Sequence, residues 1–513
     1  MSKKEDKVQE HDRQVLHKMG YAQQLARRMS GFSNFAISFS IICILAGGIS
    51  AFPAAYNAAG PGGAFWLWFV GGALAMTVAF GMGQIASSFP TAGGLYHWSS
   101  HLGGKAWGWA TAWFNLVGLI CVVSSVDVLL YSVFFKDLLL STVLGVDVSG
   151  FGYWHQFFFM VFVLGTQAIL NHYGIEITTK LTDISGYLIF ILTFVLIIAL
   201  FAFTPVALDF SRLVTFKNYT GDIGGAVVPF QTGSMAFAFL LGLSYVCYTL
   251  TGYDASAHTS EETQDAQINV PKGMYQAVFW SWLFGLVAVA AYTLTMPDLD
   301  AAAAAGWGSF FYMWGSSLMP HWLSVILAVG LVIVNYLCAL AGLTSTSRMM
   351  FAFARDGGLP ASKALSHVST TYRTPTYAIW ISAILALLST VYAPYYLVLA
   401  VACAVFMYLS MVMPIAAGLF AEGTSKWPEK GPFNLGAFSK INGVVAVLAG
   451  VVLAITGFFP PNEKVFYLTI GMVVIMPILW YGFERNRFEG VPEGDKIKAN
   501  QAKIAEIESK YKD

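Results

Sequence analysis

Charge is scarce in this sequence. Its 513 residues carry 28 Lys+Arg and 28 Asp+Glu, 11% of the chain, against about 25% in a typical soluble protein. That scarcity excludes an ordinary soluble enzyme, and no nucleic-acid partner is expected. Cysteine is scarce too. Cys43, Cys121, Cys247, Cys338 and Cys403 all fall within apolar runs, with no Cys-x-x-Cys pair. Neither a disulfide framework nor a metal site is expected, and no cofactor. His97, His101, His172 and His258 lie near helix ends and form no convincing ligand pair. A Gly-rich loop ending in Lys-Ser/Thr is missing as well, which argues against an ATP-driven pump. The first thirty residues are polar and charged, so no cleavable signal peptide is expected.

What the chain has in quantity is apolar bulk, 57% hydrophobic with 40 Phe and 49 Gly. This mixture suits lipid-facing side chains alternating with close helix contacts. Apolar runs fall at 32–57, 65–88, 106–135, 154–171, 177–204, 234–258, 275–297, 320–354, 375–391, 395–420, 441–460 and 465–483. A bilayer core takes about 20 helical residues, so the expectation is an all-α membrane protein with twelve transmembrane helices. Positive charge segregates across that count. The two tails and the even-numbered loops hold 24 Lys and Arg, and the odd-numbered loops hold Lys136, Arg212, Lys217 and Lys464. The positive-inside rule then places both termini in the cytoplasm of a cell that carries the protein in its plasma or inner membrane. A short interfacial helix is expected at 13–28, and a polar, solvated helical end at 493–512.

Two segments qualify as helix breaks of the kind a midplane site needs. In the first span, Leu45-Ala46-Gly47-Gly48-Ile49-Ser50-Ala51 is followed by Pro53. In the sixth span, Tyr248-Thr249-Leu250-Thr251-Gly252-Tyr253-Asp254-Ala255-Ser256 combines a glycine, hydroxyls and a carboxylate. Unwound backbone within a membrane is tolerable only around a cavity. Breaks five helices apart suit a 5+5 inverted repeat, with two further helices at the C-terminus, that closes a site at the midplane. The corresponding divisions are a tail at 1–31, a first repeat at 32–205, an extracellular loop at 206–233 and a second repeat at 234–420. A cytoplasmic loop at 421–440, helices 11 and 12 at 441–484 and a tail at 485–513 complete the chain.

Several stretches carry a family resemblance. They are Ala46-Gly47-Gly48-Ile49, Phe89-Pro90-Thr91-Ala92-Gly93-Gly94-Leu95-Tyr96-His97-Trp98, and Thr251-Gly252-Tyr253-Asp254-Ala255-Ser256-Ala257-His258 followed by Glu261-Glu262. Pro271-Lys272-Gly273, Ser347-Arg348 and Phe351-Ala352-Phe353-Ala354-Arg355-Asp356-Gly357-Gly358-Leu359-Pro360 complete the set. Over residues 30–485 the chain resembles the amino acid–polyamine–organocation superfamily of permeases. Within it, the chain is most similar to the branch of fungal GABA and choline permeases and plant bidirectional amino-acid transporters. The resemblance implies a LeuT-like fold and secondary transport of an amino acid or amine by alternating access, GABA being the favoured substrate. The coupling ion is expected to be a proton, with Na+ as the alternative. Sodium-coupled or exchange transport of a neutral amino acid, choline or polyamine is the second expectation. A non-transporting nutrient receptor and a membrane enzyme remain as other classes, and the chain is expected as a monomer or weak homo-oligomer in lipid.

Candidate residues follow from both readings. Gly47, Gly48, Ile49 and Ser50 are expected to offer backbone donors to a substrate carboxylate. By resemblance, Tyr248 covers the substrate, with Thr251 and Gly252 beside it, and Asp254 links gating to proton state. Asp127, with Ser124 and Ser125, is expected to meet a substrate ammonium, and Asn335 to line the same cavity. Ala46, Thr344 and Ser345 are the candidate sodium ligands. Glu261, Glu262, Arg348, Arg355 and Asp356 gather charge at the cytoplasmic ends of spans 6 and 8, where they are expected to form a gate.

Overall fold

A computed structural model describes residues 3–221, 227–392, 396–460 and 462–511. Residue 395, the expected start of the tenth span, and 222–226 of the expected loop lie outside the described residues. The chain starts with α1 (Lys3–Lys18), an irregular stretch over 19–30, then α2 (Gly31–Ile42) and α3 (Ile44–Ser88). The N-terminal helix therefore lies earlier than the expected 13–28, and most of that range, 19–28, has no helical structure.

At about 1.5 Å per residue, the 45 residues of α3 would make a rod of about 68 Å, twice the thickness of a bilayer core. Gly60 divides it, with φ 76° and ψ −169°. Pro61 disfavours helical backbone at the residue before it, and glycine takes the positive φ without strain. The turn is filled from outside: a Cβ on Gly60 would lie 2.6 Å from the Lys217 nitrogen. The expected spans 1 and 2 are thus joined by one residue's turn rather than by a loop.

The chain continues through α4 (Gly94–Gly103), α5 (Lys105–Leu129), α6 (Tyr153–His172), α7 (Ile175–Ala202), α8 (Met235–Thr249), α9 (Ala255–His258) and α10 (Ala266–Leu294). A connection bearing α11 (Leu299–Ala304) and α12 (Ser309–Ser316) leads to α13 (His321–Arg355) and α14 (Ser362–Leu365). Then come α15 (Thr376–Tyr392), α16 (Tyr396–Ala421), α17 (Ser439–Thr456), α18 (Glu463–Leu479), α19 (Arg485–Arg487) and α20 (Asp495–Glu508). The third span is longer than the expected 106–135, because α5 runs on as a π-helix over Leu130–Val143. Its Lys136 and Asp137 pair with each other at 3.2 Å and so do not end the helix. Among the described residues nine helical stretches are long and apolar enough to cross a membrane, and Met235–Thr249 and Thr376–Val391 are shorter apolar helices.

Small residues let the helices approach. A Cβ on Gly72 of α3 would fall 1.9 Å from Trp282 of α10, and one on Gly285 of α10 would fall 2.0 Å from Trp68 of α3. Trp68 Nε1 donates to the Trp282 carbonyl at 3.0 Å, locking this exchange of indoles and glycines. G72V is expected to cost about 1–3 kcal/mol through overpacking, read as a lowered Tm in detergent. An unchanged Tm would show that the Trp282 ring is free to move aside.

Both tails lie on one side of the bundle. His17 Nε2 is 2.7 Å from Glu508 Oε1, and the same oxygen accepts from the Gln23 amide at 2.8 Å. Asn500 and Gln501 of α20 donate to the carbonyls of Gly20 and His17. The C-terminal helix is therefore docked on the N-tail rather than being only a solvated end. Termini on one side also require an even number of crossings.

Candidate functional site

Two interruptions meet at the centre of the bundle. The first falls at Cys43, with φ 35° and ψ 74°, between α2 and α3. The expected break at Gly47–Gly48 is corrected by four residues. Gly47 N already donates to the Cys43 carbonyl at 2.9 Å, so Gly47, Gly48, Ile49 and Ser50 lie inside the new helix and their N–H groups are committed. The amides left without intrahelical partners in the first turn are those of Ile44, Leu45 and Ala46. Gly47 serves close packing instead, since a Cβ there would come 2.5 Å from Thr249 Cγ2. The second interruption leaves 250–254 unwound between α8 and α9, with Gly252 at φ 84°. Side chains cap its backbone: Tyr408 Oη donates to the Leu250 carbonyl at 3.2 Å, and Ser38 Oγ to that of Tyr253 at 2.9 Å.

Between the interruptions lies a cavity of about 20 Å³, walled by Ile42, Cys43, Ala46, Gly47, Tyr248, Thr249, Thr251 and Cys403. That is room for about one water, so this conformation is constricted at its centre. The Tyr248 hydroxyl lies 3.1 Å from Ser125 Oγ, tying α8 to α5 across the cavity. On the side away from the tails a cavity of about 620 Å³ reaches down to Ile49, Ser50 and Pro53, bordered by Ser132, Lys136, Trp307 and Phe311.

The structure does not bring the whole expected set together. Ser124 Oγ bonds back to the Ile120 carbonyl of its own helix at 2.9 Å. Asp127 does not face this cavity, and its Oδ1 accepts from Gln167 of α6 at 2.9 Å. Asn335 donates to the Val126 carbonyl at 3.0 Å. Of the candidate sodium ligands, Ala46 lines the central cavity, Thr344 donates to Asn171 at 2.7 Å, and Ser345 Oγ is buried without a hydrogen-bond partner. Among the described residues no group of three His, Cys, Asp or Glu could hold a metal ion.

Asp254 is fully buried at the end of the unwound segment, just before α9. Its Oδ2 accepts from Asn115 Nδ2 of α5 at 3.2 Å and lies 3.2 Å from His258 Nε2. Asp254 Oδ1 has no hydrogen-bond partner. His258 and Asn115 were not among the expected site residues. The available signal for His258 was its spacing of four from Asp254, one turn along a helix.

The tail side is closed by buried ion pairs. Arg348 Nε and Nη2 each lie 3.0 Å from the Glu262 carboxylate, with both side chains fully buried. Arg355 forms a second fork with Glu261 at 3.0 and 3.1 Å. Asp356 Oδ2 accepts from the hydroxyls of Tyr21 and Tyr96, both at 2.9 Å. Burial pushes the Asp356 carboxyl above its usual range, against the pull of Arg355 and those two bonds. The N-tail straps this layer. Met29 N donates to the Glu262 carbonyl at 2.8 Å, Arg27 to the Ser260 and Thr263 carbonyls, and Gln23 to that of Glu261.

Comparison with known proteins agrees with this arrangement. The sequence model of a family described as "Amino acid permease" matches residues 29–481. The chain is 32% identical over 505 residues to amino-acid permease BAT1 of Arabidopsis thaliana, covering 93% of this chain and 95% of the relative. It is 33% identical over 508 residues to the BAT1 homolog of Oryza sativa subsp. japonica, covering 93% and 94%. It is 27% identical over 377 residues to a GABA-specific permease of Saccharomyces cerevisiae, covering 72% and 64%. With its apolar helices interrupted around a central cavity, the chain belongs to the amino acid permease family of the amino acid–polyamine–organocation superfamily and is an integral, multi-pass membrane protein.

Proposed function

We propose that the protein is a proton-coupled secondary transporter that moves an amino acid, GABA by preference, across the plasma or inner membrane by alternating access. In this reading twelve helices cross the bilayer as a 5+5 inverted repeat plus two, with both tails cytoplasmic. The structure then corresponds to a form closed toward the cytoplasm and open on the outside as far as Ser50. The substrate carboxylate binds the free amides of Ile44, Leu45 and Ala46 at the positive end of α3, and Tyr248 closes over it. GABA rests on the yeast relative named for it, since Asp127, turned away from the cavity, does not select an ammonium.

Proton coupling rests on one observation, the contact between His258 and Asp254. His258 Nδ1 faces the Ala92 carbonyl at 3.2 Å, an acceptor, so this nitrogen must carry its hydrogen. A neutral ring would then present a bare Nε2 to Asp254 Oδ2 at 3.2 Å, two acceptors face to face in a buried site. A shared proton resolves the conflict. Its release leaves an unpaired buried charge that only a conformational change can relieve.

The test is uptake of labelled GABA by proteoliposomes at graded external pH, with and without sodium. Wild type is expected to take up GABA faster as external pH falls, independent of sodium. D254N is expected to lose about tenfold or more of that uptake together with its pH dependence, while its Tm stays near wild type. Unchanged pH dependence in D254N would overturn the relay, and uptake that requires sodium would overturn proton coupling.

A further inference from the structure

The seam between α5, α6 and α13 carries polar side chains among its apolar ones, and most of them are satisfied. Tyr336 Oη donates to Thr166 at 2.9 Å, Asn171 Nδ2 to the Gln167 carbonyl at 3.1 Å, and Thr344 to Asn171 at 2.7 Å. Three carbonyl or carboxylate oxygens on this seam break the rule. Asp127 Oδ2, Gln167 Oε1 and Asn335 Oδ1 are buried with no hydrogen-bond partner, on residues with no exposed surface. All three are acceptors, they come from three different helices, and one carries a formal negative charge.

Their amide nitrogens are already oriented. Gln167 Nε2 donates to Asp127 Oδ1 at 2.9 Å and reaches the Tyr336 carbonyl at 3.4 Å, while Asn335 Nδ2 is held by the Val126 carbonyl. Flipping either amide to satisfy its oxygen would set oxygen against oxygen. Among the described residues no lysine, arginine or histidine balances Asp127, whose partner is the Gln167 amide. The titratable groups that feel its charge are the Tyr336 phenol, turned to Thr166, and the Cys338 thiol, which donates to the Ile41 carbonyl. Neither supplies a positive charge. Helices α15 and α16, also packed against α5, bring no charged side chain to it. A buried carboxylate without a counter-charge costs several kcal/mol, and buried polar atoms left unpaired in a native fold point to a missing ligand.

We propose that Asp127, Gln167 and Asn335 form a binding site for one monovalent cation, sodium or a proton, between α5, α6 and α13. Sodium would take oxygen ligands from all three side chains. A proton on Asp127 Oδ2 would donate to one of the two amide oxygens. Sodium would satisfy all three orphaned atoms, and a proton two of them. The site lies directly behind the cavity wall, since Val126 and Leu129, on either side of Asp127 in α5, line the central cavity along with Cys338 and Ile41 of the neighbouring contact. It is separate from Asp254 and independent of which solute is carried.

The test is thermal unfolding of the purified full-length protein in detergent. Sodium is titrated at fixed pH against an organic cation, and pH is titrated without sodium, in wild type and D127N. One of the two titrations is expected to shift the wild-type Tm by a few degrees, and D127N, isosteric and neutral, is expected to lose that shift. A sodium response identifies sodium, and a pH response identifies the proton. Parallel curves for wild type and D127N in both titrations would overturn the site and leave Asp127 as a structural polar group. Should D127N fail to fold, N335L keeps the carboxylate and its Gln167 hydrogen bond and removes one of the three oxygens, and it is expected to move the midpoint about tenfold. An unmoved midpoint would also overturn the site. Because the readout is unfolding rather than uptake, it stands or falls apart from the transport reading.

Discussion

E262Q is expected to destabilise the protein by about 3–5 kcal/mol, the cost of leaving a buried ion without its partner. Among the described residues Arg348 has no second acid within reach. Apart from the Glu262 fork, its guanidinium contacts Ser347 Oγ at 3.2 Å, and neither partner of the fork is exposed to solvent. Removing the charge of Glu262 while keeping its shape isolates the electrostatic cost from packing. The double replacement E262L/R348L is expected to recover more than half of the loss, because a buried pair gains little over well-packed apolar side chains. Denaturation in detergent measures both variants. A loss under about 1 kcal/mol for E262Q would mean that water reaches the pair and screens it. Transport adds a second readout under the alternating-access proposal, in which opening toward the tails separates this fork. E262L/R348L is expected to react faster with a tail-side thiol reagent at an introduced cysteine than wild type does.

The apolar helices and the interruption expected in the sixth span were legible in the sequence, because each depends on local chemistry. A glycine among hydroxyls beside a carboxylate cannot continue an apolar helix cheaply, and Gly252 duly takes a positive φ. The first-span interruption was less legible. Gly47–Gly48 reads as a break by composition, yet glycine also appears where a neighbouring helix comes close, and the approach of Thr249 decides between the two. Cys43, which carries the turn, has no local signature for left-handed backbone. The direction of Asp127 was not legible either. Its spacing from Ser124 puts both near one helix face, but which face meets the cavity depends on α6 and α13, and Gln167 holds the carboxylate away from the centre. The tail strap joins residues as far apart as His17 and Glu508, a separation over which sequence pattern carries no register.

G252V is expected to be the most damaging single change in the sixth-span interruption, for two separable reasons. The backbone there sits at φ 84°, which costs a side-chain-bearing residue about 1–2 kcal/mol and a β-branched one more. The space is also taken: a Cβ would lie 2.2 Å from Ile41 Cγ2, a stiff branch that cannot swing clear, adding about 1–3 kcal/mol of overpacking. Ile41 lies in the last turn of α2, two residues before Cys43, and lines the central cavity, so the strain passes directly from one interruption to the other. G252V is therefore expected to lower the Tm and abolish uptake. G252A, which carries the overlap with a smaller backbone cost, is expected to retain the fold with reduced uptake. Adding I41A to G252A removes the overlap and leaves the backbone cost, so the double variant is expected to recover part of the stability and no more. Full recovery would show that the left-handed turn relaxes once space is available, and that closeness of the two helices, rather than backbone conformation, makes glycine necessary at 252.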